Sequence, residues 1–148
     1  KRHQQKGEYD KALQYYTKAA ELGDVSGKFC LANLYYDGRG GAEKDKEKAV
    51  YHFEQAAIGG HPQARILLAD YELRNGRPDR AVKHVIIAAN LGSDIALKAV
   101  KDFFVKGIVS KEEYAAALRG YQTAVDATKS AEREKAEAFM KFTSSLHI

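Results

Sequence analysis

The chain has one cysteine, two prolines and no tryptophan in 148 residues. A single thiol cannot close an intrachain disulfide, so the fold must rest on apolar burial, and a cytoplasmic compartment is expected over a secretory one. So few prolines leave long stretches free to be helical, and abundant alanine adds to that tendency. No apolar run approaches the roughly 18 residues that read as a membrane span. No block of one charge is present either. The 24 Lys and Arg and 20 Asp and Glu give a net charge of +4, and the signs alternate in EKDKEK (43–48) and EREKAE (132–137). Interleaving of this kind marks solvated helix faces and removes the concentrated basic patch that nucleic-acid or membrane binding needs. The chain starts at Lys1 rather than Met and partway through a repeat, as expected of a piece of a longer protein whose targeting signal would lie outside it.

What is present is a soluble globular composition, 45% apolar and 30% charged, at a length that buries roughly 70% of the unfolded surface. It also contains a repeat. KALQYYTKAAELGD (11–24), KAVYHFEQAAIGGH (48–61), RAVKHVIIAANLGSD (80–94) and AALRGYQTAVDA (116–127) share one skeleton. Their first aligned alanines, Ala12, Ala49, Ala81 and Ala117, are 37, 32 and 36 residues apart. Offsets 1, 4, 7 and 8 from each alanine form one face of a helix. They carry Leu13, Tyr16, Ala19 and Ala20; Val50, Phe53, Ala56 and Ala57; Val82, Val85, Ala88 and Ala89; and Leu118, Tyr121, Ala124 and Val125.

Three helices of a second kind lie between them, at 26–38, 62–76 and 95–107. These align at Gly27, Ala64 and Ala96, at Leu31, Leu68 and Val100, and at Leu34, Tyr71 and Phe103. Small residues at the first position permit close helix crossing, and the larger ones fill the space between helices. Pro62 suits a first helical turn, with His61 capping or preceding it, and Ser110 with Glu113 forms a capping box. Gly38, Gly76 and Gly107 close the intervening helices, while Gly23, Gly60 and Gly92 close those with the alanine pair. Helix pairs recurring at this spacing predict an all-α solenoid, in which each pair covers the stripe of the one before it.

The run Gly38, Gly40, Asp45, Lys48, Ala49, Ala56, Ala57 and Gly60 resembles the Sel-1-like repeat, a relative of the tetratricopeptide repeat, and the likeness spans residues 7–127. Phrases such as AAIGGHPQAR and AVKHVIIAANLG are also similar to the expanded Sel-1-like families of unicellular algae. The resemblance implies a right-handed superhelix of antiparallel helix pairs that acts as a scaffold or adaptor, in signalling or in protein quality control. Ala32, Ala69 and Lys101 replace the family's usual glycine, which implies looser helix crossing, most of all in the third pair. By analogy with tetratricopeptide stacks, the inner wall comes from the first helix of each pair. That analogy assigns Phe29, Asn33, Tyr36 and Asp37; Ile66, Asp70, Leu73 and Arg74; and Lys98, Asp102, Val105 and Lys106 to a partner-binding groove. Asn33, Asp70 and Asp102 would make a polar ladder beside an apolar row of Tyr36, Leu73 and Val105.

The search for chemistry yields little. His52 and His84 share a repeat position, but without a Cys or carboxylate at ligand spacing they read as packing or hydrogen-bonding residues. His3, His61 and His147 have no partner set. Cys30 lies mid-helix between Phe29 and Leu31, where a buried thiol is inert. GRGG (38–41) lacks the Gly-Lys-Ser/Thr of a phosphate loop and reads as a repeat turn. The expectation is therefore a non-enzymatic protein without cofactor or metal, whose partner is another protein or a peptide. Two alternatives remain open. One is a helical repeat that binds single-stranded nucleic acid, against which two groove aspartates argue; the other is an enzyme or metal protein built on His52 and His84. Residues 1–128 are read as the repeat solenoid, with a partial first repeat and about three helix pairs. Residues 129–148 are read as a capping helix, started at Ser130 with Ala131, Ala138, Phe139 and Phe142 on its apolar side, plus a loosely held tail. The helix could also dock a partner.

Overall fold

The computed structural model describes the backbone of residues 2–146 and the side chains of residues 11–146. The described residues form seven helices and no strand: α1 (Arg2–Glu21), α2 (Val25–Asp37), α3 (Lys46–Ile58), α4 (Pro62–Arg74), α5 (Pro78–Asn90), α6 (Asp94–Val105) and α7 (Lys111–Ser145). They divide into two compact units, Lys1–Ala88 and Ala89–Ile148. The first holds α1 to α4 and most of α5. The second holds the end of α5 with α6 and α7.

Each helix of the intervening kind starts by the same device. The side chains of Asp24, His61 and Ser93 accept the backbone N–H of Gly27, Ala64 and Ala96 at 2.9, 3.3 and 3.2 Å. A cap residue three positions before a small residue thus satisfies one orphan donor and places the crossing point at a fixed height. Asp45 does the same for α3 through the Lys48 N–H, and Ser110 and Glu113 cap α7 reciprocally. The six closing glycines all adopt positive φ, between 67° and 91°. At Gly38 the requirement is doubled. The residue is left-handed, and a Cβ there would meet the Lys44 Cβ at 2.9 Å.

Small residues set the packing. In the first unit Ala32, Ala49, Phe53, Ala56, Ala57, Ala64 and Leu68 form one buried cluster joining α2, α3 and α4. Gly27 is buried against α1, where an added Cβ would come within 2.8 Å of the Ala19 Cβ. In the second unit Ala96 and Val100 of α6 are fully buried and Ala117 of α7 nearly so. Alanine and glycine at the crossings let helices approach closely enough for Leu31, Leu68 and Val100 to lose their contact with water. Ala32 and Ala69, in place of the family's glycine, are buried, whereas Lys101 is exposed.

Three expectations differ from what is observed. First, α1 begins at Arg2, well ahead of the helix read from Lys11; the polar run RHQQK consists of good helix formers and continues the turn. Second, the stripe Leu118, Tyr121, Ala124 and Val125 is only partly covered, with Leu118 exposed. Third, no helix starts at Ser130. Residues 111–145 are one helix, because no proline and no closing glycine interrupts an Ala-, Lys-, Glu- and Arg-rich run, and Ser130 lies exposed within it. Side chains 126–142 are all exposed, including Ala131, Ala138, Phe139 and Phe142, so this stretch covers no open end of the stack. Thr143, Ser144 and Ser145 belong to the same helix, while His147 and Ile148 fall outside the described residues.

The contrast in burial gives a test. Leu68→Ala should cost about 2–4 kcal/mol, because it opens a cavity between α3 and α4. Phe139→Ser should stay within about 0.5 kcal/mol of the parent. Urea unfolding midpoints measure both.

Candidate functional site

The repeat is clearest at the positions where helices of a pair face each other. Tyr35, Glu72 and Phe104 are equivalent, four residues after Leu31, Leu68 and Val100. Tyr35 stacks on His52 of α3 at 5.7 Å with the Lys48 ammonium 5.3 Å from its ring centre, and Phe104 stacks on Tyr114 at 5.0 Å. Glu72 replaces the aromatic in α4. It is buried and held by Arg77, with Arg80 at 3.8 Å. A charge at this position survives burial because cations from the α5 side meet it. Glu72 was not singled out in the sequence; Arg80, equivalent to Lys48, was the available signal.

Three histidines sit in the same unit, each held neutral. His61 caps α4 with Nδ1 as acceptor and stacks on Phe29 at 4.2 Å. His84 places Nδ1 3.3 Å from the Arg65 Nη1. A guanidinium only donates, so that nitrogen must be unprotonated. His52 is held by Tyr35. All three imidazoles titrate below the usual 6.5. Burial is the main cause each time, aided by Lys48 at His52 and by Arg65 and Arg80 at His84, where Glu72 opposes them. His52 and His84 therefore act within their own helix pairs, as packing and hydrogen-bonding residues. No group of three His, Cys, Asp or Glu among the described residues is placed to hold a metal ion.

One concavity of the first unit is a cleft of about 270 Å³ between α2 and α4, floored by α3. Asn33, Tyr36 and Asp37 line it from α2, Val50 and Phe53 from α3, and Leu67, Leu68, Asp70, Tyr71 and Arg74 from α4. The rim is polar, with Asp70 and Arg74 paired at 3.0 Å, and the floor is aromatic and aliphatic. Tyr36 and Phe53 meet edge to face at 6.3 Å.

Five of the residues assigned to the groove thus share one cleft: Asn33, Tyr36, Asp37, Asp70 and Arg74. Phe29 does not join them; it packs on His61 and Phe53 beside the core. Ile66 is half-buried and Leu73 exposed, both outside the cleft. Lys98, Asp102, Val105 and Lys106 are exposed residues of the second unit.

Leu73 does not join Tyr36 in this cleft, where Tyr71 lies in the lining instead, whereas the repeat-equivalent pairs Asn33 and Asp70, and Asp37 and Arg74, line it together. The floor residues Val50, Phe53, Leu67, Leu68 and Tyr71 were absent from the groove reading, which drew on one helix of each pair. Phe53 and Tyr71 were nonetheless legible as the aromatic members of their apolar stripes.

Capped helix pairs, crossing on small residues, define a helical-repeat protein. The Sel1 repeat matches residues 5–24, 29–61 and 62–93, more than half of the chain, and the chain belongs to that family. The match covers α1 to α5 and ends at 93, within the span 7–127 over which the resemblance was read. A relative from Rhizobium meliloti (strain 1021), an exopolysaccharide production negative regulator, is 37% identical over 86 residues, or 52% of this chain and 32% of that protein. A protective antigen of uropathogenic Escherichia coli strains with an SLR fold is 26% identical, with a TM-score of 0.60 over 74% of this chain and 25% of that one. A Sel1 repeat protein from Oxalobacter formigenes is 24% identical, with a TM-score of 0.61 over 80% of this chain and 49% of that one. The chain spans half or less of each of these relatives. The fold is the all-α solenoid type of these structures, and Sel1 repeats typically mediate protein–protein interaction. No helix among the described residues is long and apolar enough to cross a membrane.

The neutral histidines predict a pH dependence of defined sign. An imidazole that titrates lower in the folded chain than in the unfolded one leaves stability intact above about pH 6.5. Stability then falls as pH drops through the lowered values. Unfolding midpoints should therefore be lower at pH 5.5 than at 7.5. His61→Asn, which keeps a capping acceptor, should reduce that difference.

Proposed function

We propose that this chain is a non-enzymatic scaffold that binds a protein segment or peptide in the cleft between α2 and α4. The observation that carries this reading is the cleft's construction. An apolar floor of Val50, Phe53, Leu67 and Tyr71 is ringed by Asn33, Asp37, Asp70 and Arg74. A floor of this kind rewards insertion of an apolar side chain, and a rim carboxamide and carboxylates can meet a peptide backbone or its polar groups. Family membership supports protein binding as the activity. The regulatory relative favours a role in signalling over protein quality control, with the chain assembling a regulatory complex rather than transforming a substrate. The partner is accordingly a protein or peptide rather than a nucleic acid, because the cleft pairs two carboxylates with one guanidinium.

Asp70→Lys should weaken partner capture about threefold to tenfold, since it reverses a rim charge and breaks the pair with Arg74. Helix content by circular dichroism should not change, because Asp70 is exposed. Full retention of partners by a folded Asp70→Lys, Tyr71→Ala double variant would remove the cleft from the binding surface.

A further inference from the structure

We propose that the cleft selects a segment in which a large apolar side chain is flanked by a basic residue, the apolar group lying against Phe53, Leu67 and Tyr71 and the cation at Asp37. This rests on the reading of the cleft as the binding surface and adds the chemistry of its ligand.

The cavity, about 270 Å³, falls just under the range of pockets that enclose a whole small ligand, and its aromatic walls suit one anchoring side chain. The charges are less ordinary. Asp70 already has Arg74 at 3.0 Å. Asp37 has no ion-pair partner among the described residues, and Lys46, 5.8 Å from the centre of the Tyr36 ring, lies outside the lining.

Asp37 is also the last residue of α2, at the negative end of the helix dipole, where a carboxylate is unfavourable and a cation favourable. The repeat-equivalent residues obey that rule. Arg74 ends α4, and Lys106 caps the C-terminus of α6. Only α2 of the three places an acid there, and its last turn contains no basic residue. The missing cation of the α2 terminus is supplied by the ligand. Carboxylate and helix terminus both attract it, and both lie at the rim of the cavity that holds the neighbouring apolar group.

Two-dimensional NMR titration of the full chain with seven-residue peptides tests this. One peptide has a central Phe with Lys two positions to either side, a second has Glu in place of Lys, and a third has Ala in place of Phe. The Lys peptide should bind at least about threefold tighter than the Glu peptide and about tenfold tighter than the Ala peptide, with shifts centred on the cleft. Asp37→Arg, which restores the residue type of the equivalent positions, should raise the unfolding midpoint while inverting the preference between Lys and Glu peptides. A simple loss of fold cannot produce that pair of opposite effects. Equal binding of Lys and Glu peptides, with Tyr71→Ala weakening both, would overturn the charge selection and leave the cleft reading in place. No binding by any peptide, or binding indifferent to Tyr71→Ala, would overturn both.

Discussion

The structure depends on helices crossing over side chains too small to hold them apart. Gly27, Ala64 and Ala96 lie at the crossings, and the alanine pairs of α3 and α5 lie across from their neighbours with almost no contact with water. Alanine contributes little apolar area by itself. Its role is to let the backbones approach until Leu31, Leu68, Phe53 and Val100 are fully enclosed. The caps serve the same constraint, because Asp24, His61 and Ser93 fix where each helix starts relative to its small residue. A shift of one residue there would rotate the helix by about 100° and put a bulky side chain at the crossing.

With that frame fixed, variation at single stations sets local chemistry. The position occupied by Tyr35, Glu72 and Phe104 is met by a stacked His, by two arginines and by a stacked Tyr. The three solutions fill the same space with different electrostatics, and among the described residues only the α4–α5 pair contains a buried acid. The C-terminal positions Asp37, Arg74 and Lys106 vary in the same way, and here the variation reaches the rim of a cleft. A repeat protein acquires a site where one copy departs from the others without disturbing the crossings.

Half of the cleft was legible in advance. Asn33, Asp37, Asp70 and Arg74 were recognisable as outward positions once the helix period was known, and Tyr36 as an outward aromatic. Val50, Phe53, Leu68 and Tyr71 were legible as apolar stripe positions, and Leu67 was not. That they border open space rather than another side chain depends on the volumes of residues from three helices at once. Phe29 looked like a wall residue by register, yet His61 lies beside it and the two rings stack.

The sequence by itself determined the helices, their caps and glycine stops, and the repeat period, because all of these depend on hydrogen bonds and apolar spacing within a few residues. Tertiary structure alone decided which flank of each helix faces which neighbour and that the acid of α4 is buried among cations. Period places a residue on the surface of its own helix. The neighbour it meets follows from how several helices pack together, and no single stretch of chain contains that information.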